Sequence, residues 1–194
     1  MDRQAVIFSA DGQPSMRLSS DQALNIEAEA AVASFTLKQD QTAAFMLGGE
    51  DDPRFEEGAA QLCMERTLKF WRDWVGQSIY RGRWREMVNR SALALKLLTS
   101  RKHGAILAAA TFGLPETPGG GRNWDYRYTW IRDASFTVYA FMRLGFVEEA
   151  NAYTRWLRGR VRDCHGKTMK LNILYAIDGR QELPEVELPH LSGH

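Results

Sequence analysis

Residues 119–145 read Gly119-Gly120-Gly121-Arg122-Asn123-Trp124-Asp125-Tyr126-Arg127-Tyr128-Thr129-Trp130-Ile131-Arg132-Asp133, then ASFTVYAFMRL, then Gly145. The hydrophobic period changes inside this stretch. Trp124, Tyr126, Tyr128 and Trp130 recur at every second position, the spacing that puts side chains on one face of an extended strand. From Asp133 onward the period is helical. Asp133 and Ser135 are both N-cap types, Phe136, Tyr139, Ala140 and Leu144 form a stripe expected to face inward, and Gly145 suits the C-terminal glycine, with Phe146 covering the end. An aromatic strand running straight into a helix is the pivot of the chain.

Working outward, Glu148 to about Arg162 predicts a further helix with Ala150, Tyr153 and Leu157 on its inner stripe. Upstream, Arg83–Leu98 predicts a helix carrying Val88, Ala92, Leu95 and Leu98. Before it, Phe55–Trp74 predicts another, in which Ala59, Leu62, Cys63, Leu68 and Trp71 share a face. Its aromatic end, Phe70-Trp71-Trp74, is expected to pack between domains. The connection over about residues 100–130 is rich in Gly and Pro, and a loop of that length in a compact domain points to function, as does its aromatic content. Leu171–Tyr175 predicts a short strand leading into a turn at Ile177-Asp178-Gly179-Arg180. Residues 1–48 read as strands. There Ala33-Phe35-Leu37, a turn at Lys38-Gln39-Asp40-Gln41, and Ala43-Phe45-Leu47 predict a hairpin with one buried face. Gly48-Gly49-Glu50-Asp51-Asp52-Pro53 then breaks the strand pattern.

The 194 residues, 44% of them hydrophobic, suffice for one or two compact domains. A formal charge of +1 supplies no electrostatic footprint for nucleic acid or an anionic membrane. Cys63 and Cys164 are too few and too far apart for a disulfide framework or a metal site and read as ordinary thiols. His103, His165, His190 and His194 have no partner at ligand spacing, so no metal is expected, and no cofactor. The start MDRQAVIFSADGQ lacks the apolar region of a signal peptide, and no segment has the length of a membrane span, so the expected location is cytoplasmic. Internal repeats and low-complexity stretches are absent, and oligomeric state is not legible.

The chemistry concentrates at 124–133. Aromatic faces suit the weakly polar C–H faces of a sugar ring, while the planar donor fork of Arg132 and the acceptor oxygens of Asp133 can satisfy neighbouring hydroxyls from both sides. The competing structural account makes Trp124, Tyr126, Tyr128 and Trp130 a half-buried strand, and Arg132 and Asp133 a surface pair at a helix start. Trp124, Asp125 and Arg127 read as braces: Asp125 and Arg127 share a side of an extended strand and can pair. Glu116, Glu182, Glu185 and Glu187 read as acidic loop residues rather than catalytic carboxylates.

Gly113-Leu114-Pro115-Glu116, the glycines, and RNWDYRYTWIRDASFTVYAFMRLGF resemble the glucoamylase-like glycoside hydrolases of family 15, which include glucoamylases, glucodextranases and trehalases. Similarity extends through FWRDWVGQSIYRGRWREMVNRSALALKLLT and LNILYAIDGRQELPEVELPHLSGH, covering about residues 65–194 well and the first part loosely. The chain departs from the family pattern at Gly113, where Ser is usual, and at Arg101-Lys102-His103-Gly104, where a Pro-containing turn is usual.

The resemblance implies an α+β, mainly α chain. Residues 1–52 would end a β-sandwich domain, 53–82 would form a linker helix region, and 83–194 would be the first part of an incomplete (α/α)6 toroid. It implies an inverting hydrolase acting on the non-reducing end of α-glucosides, a small-molecule or oligosaccharide substrate, with Arg132, Asp133, Trp130 and Tyr126 in the glucose subsite. The family places both catalytic Glu residues beyond His194, so the isolated chain is expected to be inactive. The alternatives are a truncated, non-catalytic carbohydrate-binding remnant, and a structural module whose aromatics are core.

Overall fold

The computed structural model describes residues 5–52, 56, 58–111, 113–163 and 171–186. They form an α+β chain of four helices and small antiparallel sheets, dividing into two compact units, Met1–Phe70 and Trp71–His194.

In the first unit, β1 (Ala5–Phe8), β2 (Met16–Ser20) and β5 (Phe45–Gly49) make an antiparallel sheet in the order β1-β2-β5. β3 (Asn25–Glu27) and β4 (Ala30–Val32) form a separate ribbon. The hairpin expected between 33–37 and 43–47 is not formed. The turn at 38–41 is present, with Gln41 N–H donating to the Lys38 carbonyl, but 33–38 carry no strand and β5 pairs with β2 in the register Ser20↔Phe45. The reason lies at Ala44. Its N–H donates to the Asp21 carboxylate, and its carbonyl accepts from the Asp21 N–H and the Ser20 hydroxyl, which commits the returning chain to β2. Phe45 and Leu47, expected on a buried face, are 46% and 58% exposed.

Helix α1 (Ala59–Gly76) begins later than the sequence suggests. Its expected apolar face is open over the first three turns: Leu62, Cys63 and Leu68 are exposed, as is Phe70. Trp71 and Trp74, by contrast, enter the core of the second unit.

That second core gathers α1 residues 71–76 with α2 (Arg85–Leu97), α3 (Ile131–Leu144) and α4 (Val147–Asp163). Trp74 stacks on Phe146 with ring centroids 4.0 Å apart and meets Phe141 edge-on at 6.2 Å. Ala92 on α2, and Ala150 and Tyr153 on α4, are buried and Leu157 packs against the core, in keeping with the expected stripes; Trp156, not among the expected inner residues, is buried as well. On α3 the buried side carries Ala134 and Phe141, with Ile131, Val138 and Leu144 packed against the cluster. The sequence reading of this helix is corrected here: Phe136 and Tyr139 point outward, 71% and 64% exposed. The helix has two apolar stripes, and the narrower one admits the aromatic layer of Trp74 and Phe146. Gly145 does cap α3 in the left-handed conformation, φ 92°, with its N–H on the Met142 carbonyl.

The core also holds one buried carboxylate. Glu149, in the first turn of α4, accepts from the Trp74 indole N–H at 2.7 Å and from the Lys96 ammonium at 2.7 Å. Burial pushes its carboxyl up, but the two donors, its own backbone and the Lys96 charge outweigh that and hold it below the ordinary range.

The connection after α2 is ordered by main-chain bonds. Residues 98–100 and 105–107 reverse tightly around an isolated bridge, Thr99↔Ile106. At the reversal Gly104 has φ 79°, and a Cβ there would lie 2.7 Å from the Ala152 carbonyl oxygen of α4. Both the backbone conformation and the space require glycine. Further on, Ala108 N–H donates to the Tyr128 carbonyl, Ala109 N–H to Tyr126 and Gly113 N–H to Trp124, so these three residues back the aromatic run.

Candidate sugar-contacting site

The aromatic run ends in β6 (Thr129–Trp130), which pairs with β7 (Leu174–Tyr175) through Thr129↔Tyr175 and Trp130↔Leu174. β7 is anchored in turn. Tyr175 is fully buried and meets Trp156 edge-on at 5.8 Å, and the Trp156 indole N–H donates to the Ile177 carbonyl. The expected turn at 177–180 is present, with Gly179 at φ 93°. Tyr153 stacks beside Trp156, and burial, with Tyr175 adding to it, pushes its phenol up to about 12.

Helix α3 starts directly after Trp130, two residues before Asp133. The Ile131 N–H donates to the Ile173 carbonyl, so the chain leading into β7 takes up the first N–H of the helix, and no side chain caps it. Ser135 is not the cap; its hydroxyl donates back to the Ile131 carbonyl. Arg132 and Asp133 therefore lie in the first turn of α3, where an Arg132 guanidinium N–H donates to the Asp133 carboxylate at 3.1 Å. They are open to solvent, their side chains 76% and 41% exposed.

The four side chains named from the sequence are thus consecutive along one short path. Tyr126 and Trp130 have ring centroids 5.9 Å apart at 35°, Tyr126 is 39% exposed and Trp130 intermediate, and the Arg132 and Asp133 pair follows at the helix start. The expected aromatic strand is cut short: only Thr129–Trp130 is a strand, and although Thr129 is fully buried, Arg127 is exposed and Tyr128 half-buried, so the alternation does not extend back along the run. Trp124 is also exposed, at 46%.

Asp125 and Arg127 pair as the strand geometry suggests. Arg127 donates from Nε and Nη2 to the two carboxylate oxygens, and its backbone N–H donates to Oδ1 at 2.9 Å. The Arg127 side-chain bonds hold the Asp125 carboxyl below its usual value, against a smaller opposing effect of burial. Both groups brace the run rather than offering themselves to a ligand.

Other candidates come to less. Glu116 pairs with Arg122 at 3.4 Å on the surface, and Glu182 and Glu185 are exposed, while Glu187, Cys164, His165, His190 and His194 lie outside the described residues. Cys63 is a free, exposed thiol. Among the described residues no cluster of His, Cys, Asp and Glu could hold a metal ion, and no helix is long and apolar enough to cross a membrane. A cavity of about 440 Å³ in the first unit is lined by residues of β2, β5 and α1. Its charges are largely committed: Arg17 donates to the Glu50 and Asp52 carbonyls, and Asp52 accepts from the Gly49 N–H. Sequence reasoning missed Glu149, since its partners are 53 and 75 positions away and leave no local signal.

Comparison with known proteins defines the class. Residues 82–194 match the pattern of the glycosyl hydrolases family 15. The trehalase of Mycolicibacterium smegmatis is 37% identical over 188 residues, 95% of this chain and 28% of that protein. The trehalase of Mycobacterium tuberculosis is 35% identical over 188 residues, 95% of this chain and 27% of that protein. The trehalase of Thermoplasma acidophilum is 40% identical over 127 residues, 66% of this chain and 21% of that protein. The chain belongs to glycosyl hydrolases family 15, and it spans little more than a quarter of the length of the first two relatives. No solved structure matches it significantly.

Proposed function

We propose that residues 124–133 form part of the glucose-binding subsite of an inverting glycoside hydrolase that acts on the non-reducing end of α-glucosides, and that trehalose is the substrate. The observation that carries this reading is the open path from the Tyr126 and Trp130 rings to the Arg132 and Asp133 pair. A cation in the first turn of a helix sits at the positive end of the helix dipole, which costs about 0.3–1 kcal/mol. Arg132 is exposed there, with Asp133 as its recorded partner. Helix formation does not account for that placement, whereas a donor fork beside an aromatic wall suits a sugar with one face stacked and its hydroxyls at the rim.

The three trehalase relatives support trehalose as substrate. Family membership supports the wider architecture: 1–52 from the end of a β-sandwich, 53–82 a linker helix region, and 83–194 the first part of an (α/α)6 toroid. In an inverting mechanism one carboxylic acid protonates the leaving oxygen, and a carboxylate on the other face, about 6.5–9.5 Å away, activates water. Glu116, Glu182 and Glu185 are exposed loop acids, and we assign both roles to residues outside these 194. Here the described residues bind and orient; they do not transfer the proton.

The test is a titration of the purified chain with trehalose and with maltose, followed by tryptophan fluorescence. Saturable quenching that Trp130→Phe and Arg132→Ala each abolish supports the subsite. An absence of quenching, or quenching indifferent to both changes, overturns it. If the full-length protein binds trehalose without hydrolysing it, the hydrolase assignment fails and a carbohydrate-binding remnant replaces it.

A further inference from the structure

Gly113 is not one of the glycines with positive φ, so conformational freedom does not explain it. Space does. A Cβ built there would lie 2.8 Å from Tyr126 Cε2, closer than real Cβ atoms come to any neighbour, and 3.5 Å from Tyr126 Cδ2. The nearest main-chain atom, the Trp124 carbonyl oxygen, stands at an ordinary 3.5 Å and accepts the Gly113 N–H at 2.7 Å. A Cβ at 113 thus meets the Tyr126 phenol ring first, while the bonds of Ala108, Ala109 and Gly113 to the aromatic run are main-chain bonds that do not involve that ring.

We propose that Gly113 is the positioning residue for Tyr126: by leaving its Cβ space empty it seats the phenol ring against Trp130 and so sets the tilt of the aromatic wall. Ring position and ring pair are coupled, because Tyr126 lies 5.9 Å from Trp130 at 35°. The functional consequence rests on the sugar-subsite reading. A wall tilted by one recessed ring accepts a pyranose face at one inclination, and a larger residue at 113 changes which sugar ring lies flat on it. Serine, usual in the family pattern at this position, is the natural substitution.

The experiment is a double-mutant cycle in the full chain, with Gly113→Ala and Gly113→Ser made alone and in a Tyr126→Ala background. The sugar-free readouts are near-ultraviolet circular dichroism, which senses the coupled rings, and thermal melting. The expected result is an altered aromatic spectrum with a nearly unchanged melting temperature, and no further spectral change when Gly113→Ala is added to Tyr126→Ala. An unchanged spectrum, or the same change in both backgrounds, overturns the proposal. If Gly113→Ala unfolds the chain only when Tyr126 is present, the conflict is with that ring and the proposal stands; unfolding in both backgrounds rejects it. A trehalose titration then reads the consequence, expected as roughly three- to tenfold weaker quenching for the single variants and none beyond Tyr126→Ala in the double, from the usual worth of an aromatic contact. If the unsubstituted chain shows no trehalose response, the subsite reading fails, while the sugar-free arm still decides what Gly113 does.

Discussion

Arg132 and Asp133 are adjacent and share one hydrogen bond, yet they make different predictions from the Asp125 and Arg127 pair just before them in the chain. In the full-length protein, Arg132→Ala and Asp133→Asn are each expected to lower kcat/KM while the melting temperature stays close to the parent's. On the proposed subsite, each change removes a charge-assisted hydrogen bond to a sugar hydroxyl, about 1.5–3 kcal/mol, or roughly ten- to a hundredfold in rate. Near-normal kinetics with lowered melting temperatures at both positions would show that the pair serves the helix instead. Arg127→Ala should do the reverse, leaving kinetics nearly intact and costing at most about 1 kcal/mol, since a surface pair is worth little. Its signature is pH. The Arg127 bonds depress the Asp125 carboxyl, so their stabilisation is present above the usual aspartate range and disappears as pH falls through the lowered value. Acid melting curves of Arg127→Ala and the parent are expected to converge at low pH; curves that stay parallel exclude the linkage.

Among the elements, what the sequence disclosed was what neighbours along the chain decide. Gly145 as the cap of α3, the inner residues of α2 and α4, and the turn at 177–180 depend on spacing and on glycine's conformational range, and each stands where expected. Partner choice was not legible. β5 could pair with the segment before it or with β2, and only the bonds from Ser20 and Asp21 to Ala44, over 20 positions distant, settle the matter. The start of α3 was misread for a similar reason: Asp133 and Ser135 have cap chemistry, but the Ile173 carbonyl reaches Ile131 first. Phe136 and Tyr139 fell on the stripe that helical spacing turned inward, and the close aromatic layer selected Ala134 and Phe141. The path from Tyr126 to Asp133 was legible because its residues are nearly contiguous, whereas the tie among Trp74, Lys96 and Glu149 joins three helices. Glu149→Gln removes the charge from a partly buried pair, whose Lys96 partner reaches solvent, and is expected to cost about 1–3 kcal/mol in denaturant unfolding. Because the Glu149 carboxyl lies below its ordinary value, the parent's advantage should be full above the usual glutamate range and shrink as pH falls through the depressed one. A stability difference independent of acid pH would mean that Glu149 matters for packing alone.

For the molecule as a whole, the two units differ in how they hold together. Aromatic contacts and one buried ion pair knit the second, while the described part of the first exposes Phe45, Leu47, Leu62 and Leu68 and buries little beyond Ser19, Ser20 and Leu24. Composition announced enough apolar residues for a core, but not that they would collect from residue 71 onward. The ladder between β6 and β7 bears on how the protein is made. The ribosome delivers Trp130 well before Leu174, and until that partner emerges the aromatic run lacks its β7 ladder and the Ile131 N–H lacks the Ile173 carbonyl. Domains fold as units during synthesis, and for this one the unit closes only when residues 173–175 are free of the exit tunnel. A ribosome-stalled nascent chain exposing 124–133 but not 173–175 would carry Tyr126, Trp130, Arg132 and Asp133 and still lack the strand that holds Trp130 in place.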